Sequence, residues 1–283
     1  MKTPALILRF AILAGAALAI WALGVRRAEE APAPVAKPWE LWPKREKPGG
    51  DALIFNDRAM ALLNEGKYAE AEAEYRTEMD SCMRLGGPDS SHTLRARTDL
   101  AMVLSVRGKH ADAERELRSV MGIRRRVLGA EDQDTLWSER MLAEALRSQG
   151  KNAEAEKEYR TILEISEHVL GAEADSALWS RKELAVVLDA QGKHSEAEKE
   201  YRVVLAVCDR LQIADEWLVI LTYFSLARCL EDQKNLGGAL VFIQRAQEAC
   251  EKRAGPEHPN SKFAKQQRER IEAELKKQQA GRK

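Results

Sequence analysis

Five histidines, four cysteines and 45 acidic residues give this 283-residue chain the raw material for metal or acid–base chemistry. Their spacing is the first test. His110 and His194 share one position after a Gly-Lys step, His92 and His258 fall in connecting segments, and His168 stands near the end of a helical stretch. None forms a His-x-x-x-His spacing with a nearby acid or thiolate. No glycine-rich phosphate loop is present: Gly237-Gly238 weakens the start of a late helix and Gly86-Gly87 ends one. The serines lack a nucleophile-elbow context. Acidic pairs are abundant but recur at fixed intervals, as solvated faces do. An enzyme needs titratable groups positioned in a cleft, so the pattern argues against one and calls for no cofactor and no metal.

Non-covalent recognition is better served. Trp137 and Trp179 stand 42 residues apart, and Leu221 and Phe263 continue the column. Steps of three and seven residues lead from Trp137 to Arg140 and Glu144, and from Trp179 to Lys182 and Val186. The same three positions one interval earlier are Arg95, Thr98 and Met102. Each set shares one face of a helix. A stripe that mixes aromatics with charges can anchor and orient a bound peptide. The other reading packs both Trp side chains between neighbouring helices as core. Composition alone leaves both open.

The interval behind these columns is the organising feature. Gly66, Gly108, Gly150 and Gly192, each followed by Lys, are 42 residues apart, and a further step reaches Lys234 and a degenerate copy, KNLGGALVFIQRAQEAC. Such periods mean stacked supersecondary units, none able to bury its apolar face alone. With 9 prolines, 17 glycines and 32% charged residues, the chain is expected to be helical throughout. In each unit a first helix carries apolar residues at the helical period, as in Leu136 with Leu142-Ala143-Glu144-Ala145-Leu146. Ala101, Ala143, Ala185 and Ala227 keep that helix slim where neighbours approach. Gly-Lys makes the turn. A second helix follows, with Ala113, Ala155, Ala197 and Ala239 near its start and Tyr75, Leu117, Tyr159, Tyr201 and Ile243 one turn on. It is expected to end at Gly87, Gly129, Gly171 and Gly255, with Ile213 making the fourth exit less regular. Glu72–Arg76, Glu114–Arg118, Glu156–Arg160 and Glu198–Arg202 are i,i+4 pairs in the favourable order, expected to be solvated.

Lys plus Arg and Asp plus Glu balance at 45 each, so the charge favours no nucleic-acid partner. Cys82, Cys208 and Cys250 share one repeat position, and stacked helices hold such positions roughly 8–10 Å apart, beyond the ~7 Å reach of a disulfide. Cys229 is offset by similar arithmetic, so all four are expected to be small buried residues. Residues 1–25 contain a 16-residue uncharged run, Phe10 to Val25, read as a single-pass membrane anchor, with export after cleavage near Gly24 as the alternative. Residues 26–50 hold five of the prolines and form a linker. Residues 51–255 are five repeats, and 256–283 a capping helix and polar tail.

Leu-Ala before a Gly-Lys-x-x-x-Ala turn, with Tyr four residues later, resembles the tetratricopeptide repeat. The 42-residue length and the linkers LGAEDQDTL, LGAEADSAL and GPEHPNS resemble the kinesin-light-chain-like variety. The resemblance covers about residues 51 to 275. It implies an all-α, right-handed α-solenoid whose first helices line a concave groove for a peptide or helix of a partner protein, with the Trp columns facing it. Where kinesin light chains place asparagines before the Leu-Ala step, this chain has Asp99, Met141, Glu183 and Ser225, which departs from the motor-cargo pattern. The expected function is a non-catalytic interaction scaffold tethered to a membrane. A self-associating component of a membrane or envelope complex is the alternative.

Overall fold

The turns come first, because they set the period. Gly66, Gly108, Gly150 and Gly192 have φ between 74° and 79°, a left-handed conformation that glycine adopts without steric cost. The lysine after each donates its backbone N–H back to a leucine carbonyl, as in Lys151 to Leu146 at 3.0 Å. This satisfies a carbonyl the ending helix leaves over. In the fifth unit Lys234 takes the left-handed place itself, with φ 65°.

Built on these turns, the computed structural model describes residues 57–213 and 217–280. The described residues form eleven helices and no strand. They pair as α1 (Asp57–Asn64) with α2 (Tyr68–Gly86), α3 (Ser91–Val106) with α4 (His110–Val127), and α5 (Gln133–Ser148) with α6 (Asn152–Leu170). Then come α7 (Asp175–Ala190) with α8 (His194–Arg210), α9 (Trp217–Asp232) with α10 (Leu236–Ala254), and the closing α11 (Pro259–Ala280). Each helix packs on the next in sequence, and α3 also touches α5 as α7 touches α9. Contacts limited to near neighbours make an α-solenoid.

The core follows the repeat. Ala101, Ala143, Ala185 and Ala227 are buried, as are Tyr75, Leu117, Tyr159, Tyr201 and Ile243. All four cysteines are buried, and none is in a disulfide. First helices begin on side-chain caps where the residue permits: Ser90 accepts from the Thr93 N–H and Asp132 from those of Asp134 and Thr135. Ala174 holds the same extended backbone without a side chain able to accept. Second helices leave through Gly87, Gly129, Gly171 and Gly255 at positive φ. In the fourth unit the left-handed residue is Gln212, at φ 59°, so the helix there ends on Arg210 and Ile213 follows the turn.

The Glu–Arg pairs form, but they are not the solvated pairs the sequence suggests. Glu72 is fully buried and receives Arg107 and Lys109 of the following unit as well as its own Arg76. Glu114 accepts from Lys151 and Gln149, both at 2.7 Å, and from Arg118 at 2.8 Å. Glu156 repeats this with Lys193 and Gln191 at 2.8 Å, and with Arg160. Glu198 keeps Gln233 at 2.9 Å and Arg202, while Asn235 stands where the lysine would be. Burial opposes the charge on Glu114, but Lys151, Gln149 and Arg118 overrule it and hold the carboxyl at about 2. The Lys193 hydrogen bond, against burial and with help from Arg160 and Gln191, holds Glu156 at about 2. The second helices of the first four units are thereby fastened to the next turn.

One expectation is corrected. No helix among the described residues is long and apolar enough to cross a membrane. The helices from Asp57 onward bury one stripe and carry charge on the other, the pattern of a water-facing array. Residues 1–25, on which the single-pass anchor rested, and the linker at 26–50 lie outside the described residues. The membrane tether is therefore set aside.

Candidate functional site

The first helices carry the columns singled out above. On α5, Trp137 is partly buried, and the Arg140 guanidinium lies 4.4 Å from the centre of its ring. The same guanidinium is 6.0 Å from the Trp179 ring on α7, so one cation bridges two aromatic faces from successive units. Lys182 Nζ also lies near the Trp179 ring, 5.9 Å from its centre. Glu144 pairs with Arg147, whose Nε lies 2.9 Å away, and Lys182 donates to Glu183 at 2.8 Å. The Tyr159 side chain on α6, fully buried, lies within electrostatic reach of Glu144, Glu183, Arg147 and Arg140.

Electrostatics single out Arg140. Burial works against its charge, and only the general field of Tyr159, Glu183 and Asp175 favours it. Among the described residues it forms no ion pair, and Glu183 and Asp175 act on it only through space. Trp137 Nε1 and the Tyr159 hydroxyl are likewise buried without a hydrogen-bond partner. Glu183 differs. Burial opposes its ionisation, but Lys182, Arg147 and Arg140 win and hold it below the ordinary carboxylate range.

The other predicted positions are quieter. The Thr98 hydroxyl turns back to the Leu94 carbonyl at 2.9 Å, and Thr98, Met102, Lys182 and Val186 are all at least nine-tenths buried. Arg95 is partly buried and engaged with a partner. Trp179 packs its inner edge against a cluster of Leu178, Val204, Cys208, Leu218 and Val219. It therefore belongs partly to the core and partly to the face. The column changes character at its end, where Phe263 packs against Phe224 with the rings tilted by 44° and their centres 5.7 Å apart.

A second constellation escaped the sequence. Asp189 at the end of α7, His194 at the start of α8 and Cys229 on α9 bring a carboxylate oxygen, an imidazole nitrogen and a sulfur within 4.8 Å of one another. The donors are five and 35 residues apart across two units, which no local motif records. The trio is not a nucleophile. Burial and the adjacent Asp189 push the Cys229 thiol up to about 12, the reverse of activation.

Comparison with known proteins gives a consistent picture. The sequence profile described as "Tetratricopeptide repeat" matches residues 51–126, 98–160 and 132–210. No curated protein sequence matches. Among solved structures, a variant of the putative kinesin light chain TPR-like repeats of Podosopora anserina superimposes with a TM-score of 0.60 at 21% identity, covering 69% of this chain and 92% of that one. BtubC (BKLC) from P. vanneervenii gives 0.56 at 19% identity, over 74% and 92% of the two chains. Bacillus thuringiensis PlcR, solved with the peptide PapR7 and DNA, gives 0.56 at 14% identity, over 69% and 68%. At these identities the likeness speaks for the fold.

Proposed function

Because the chain belongs to the tetratricopeptide-repeat family, with repeats of the kinesin-light-chain-like kind, we propose that it is a non-catalytic docking scaffold. Its first helices receive a peptide or helix of a partner protein. The observation that carries this reading is the Trp137–Arg140–Trp179 stack, a cation held between two partly buried rings with no carboxylate of its own. A peptide that sets an acceptor against Arg140 and the Trp137 Nε1–H satisfies donors the fold leaves over. Arg95, Glu144 and Lys182 supply flanking charge, while Thr98, Met102 and Val186 form the floor. The stack is rigid before binding, so little entropy is lost. PlcR, of the same fold, is seen with a peptide, which supports the reading by analogy.

Proximity labelling from the full chain in its native host tests it. Trp137→Ala with Trp179→Ala, and Arg140→Ala separately, are compared with wild type after circular dichroism confirms folding. Loss of a small common set of labelled proteins is expected. An unchanged set from folded variants sinks the proposal.

One observation favours self-association as a second reading. Leu85, Val127, Val169 and Leu211 recur at 42-residue intervals at the ends of second helices, between 40% and 70% exposed, a column of exposed apolar residues able to meet a second copy. Light scattering across a concentration series distinguishes the two. A mass that rises with concentration and is reset by Val127→Asp plus Val169→Asp supports self-association.

A further inference from the structure

At the junction of the fourth and fifth units the sequence departs from its own repeat. The positions of Asp189, His194 and Cys229 hold Arg147, Asn152 and Val187 one period earlier, and Ser105, His110 and Ala145 two periods earlier. One period later they hold Glu231, Leu236 and Ile271. Nowhere else in the array do three metal-binding side chains coincide at these positions. It is also the junction where the glutamate clamp loses its lysine to Asn235.

The geometry suits a cation. His194 Nδ1 lies 2.8 Å from Asp189 Oδ1, and the three ligand atoms lie within 4.8 Å of one another. A four-coordinate zinc, with bonds of about 2.0–2.3 Å, places its donors roughly 3.3–3.8 Å apart. About an ångström of side-chain adjustment closes the set. The Tyr201 hydroxyl provides a second sign: the residue is fully buried, its oxygen has no hydrogen-bond partner, and it lies within electrostatic reach of Asp189 and Cys229. An unsatisfied buried polar atom near two of the three ligating groups is what a fourth donor or an ordered outer partner looks like.

The surrounding groups already stand where outer-shell partners belong. Arg228 Nη2 lies 3.4 Å from the second oxygen of Asp189. Gln233 Nε2 lies 3.6 Å from Cys229 Sγ and is itself held by Glu198 at 2.9 Å. Such contacts orient a ligand and raise its affinity.

We propose that Asp189, His194 and Cys229 bind one divalent d-block cation of the zinc type, which fastens the fourth unit to the fifth. On binding, the Cys229 thiol releases its proton to solvent and the imidazole keeps its single proton on the nitrogen that does not ligate. A carboxylate and a thiolate then balance the dication. A ligand set of one sulfur, one nitrogen and one oxygen suits zinc or cobalt over magnesium or calcium, which take oxygen alone.

The untagged full chain, stripped with a chelator and titrated with Co²⁺ under reducing conditions, provides the test. One equivalent should raise a thiolate-to-cobalt charge-transfer band and tetrahedral d–d bands, both abolished by stoichiometric Zn²⁺. Cys229→Ser should remove the charge-transfer band, and Cys250→Ser should keep it. His194→Ala, at a partly exposed position, should weaken binding by more than the ~10–100-fold typical of an outer-shell partner. If Cys229→Ser does not fold, the wild-type titration and His194→Ala decide the matter. Absence of the band in wild type, a band that survives Cys229→Ser, or unchanged affinity in His194→Ala overturns the site.

Discussion

Replacing Glu156 by Gln keeps the shape of the clamp between the third and fourth units and removes its charge. Two donors of the next unit lose a carboxylate, Lys193 and Gln191, each at 2.8 Å, together with Arg160 on the same helix. Hydrogen bonds to a charged group contribute about 1.5–3 kcal/mol each. Lys193 and Arg160 are 39% and 52% exposed, so water recovers much of that on mutation. The carboxyl titrates at about 2 in the fold against an ordinary 4.5. Linkage bounds its contribution at about 3 kcal/mol, which screening at the solvent-facing edge lowers to about 1–2 kcal/mol. The depressed value fixes the sign: the contribution is complete above pH 4.5 and disappears as the pH falls through 4.5 towards 2. Urea unfolding followed by circular dichroism at pH 7 should therefore show Glu156→Gln about 1–2 kcal/mol less stable than wild type. The gap should close as the pH approaches the folded-state value. Hydrogen exchange should speed up at the α6–α8 junction and leave α2 untouched. A gap below about 0.5 kcal/mol at pH 7, the scale of a neutral surface change, refutes the clamp, as does a gap that persists at the acid end.

Two backbone predictions are simpler. Ala174→Asp places an acceptor on the same cap geometry that Asp132 occupies, and should stabilise the protein by about 1 kcal/mol in the same urea assay. Lys234→Gly relieves a left-handed non-glycine turn at φ 65° and should gain about 0.5–1 kcal/mol, with no change in helix content by circular dichroism.

Much of the fold was legible because each signal occupies a single chain position. A glycine that must turn left-handed, an alanine that must let a neighbour close in, and a tyrosine that must fill the space beneath are each visible residue by residue, and all stand as the repeat implies. What escaped has its partners far along the chain. Glu114 reads as half of an i,i+4 pair until Lys151, 37 residues on, is folded against it. Cys229 reads as one more small core residue until Asp189 and His194 are seen beside it. The Trp columns fall between these cases. Periodicity placed Trp137 and Trp179 on one face, but only packing reveals that Arg140 bridges them and that Trp179 also leans on the core. The apolar run at 10–25 led to a membrane expectation that nothing in the described helices supports.

The clamps have a direction. Every carboxylate sits on the outgoing helix of one unit, and the donors that reach it from outside that unit sit on the turn of the unit that follows. A block cut anywhere at this period therefore carries a socket at its tail and a plug at its head. An in-frame duplication of one such block joins to both neighbours without a new residue having to arise, so the length of the array is free to drift by whole units. At α10 the pattern changes: Leu240 stands where the next glutamate would be, and Arg270 on α11 donates to Glu231. A unit placed after α10 would find no carboxylate socket at Leu240, so restoring a glutamate there should matter more to that following unit than to α10 itself.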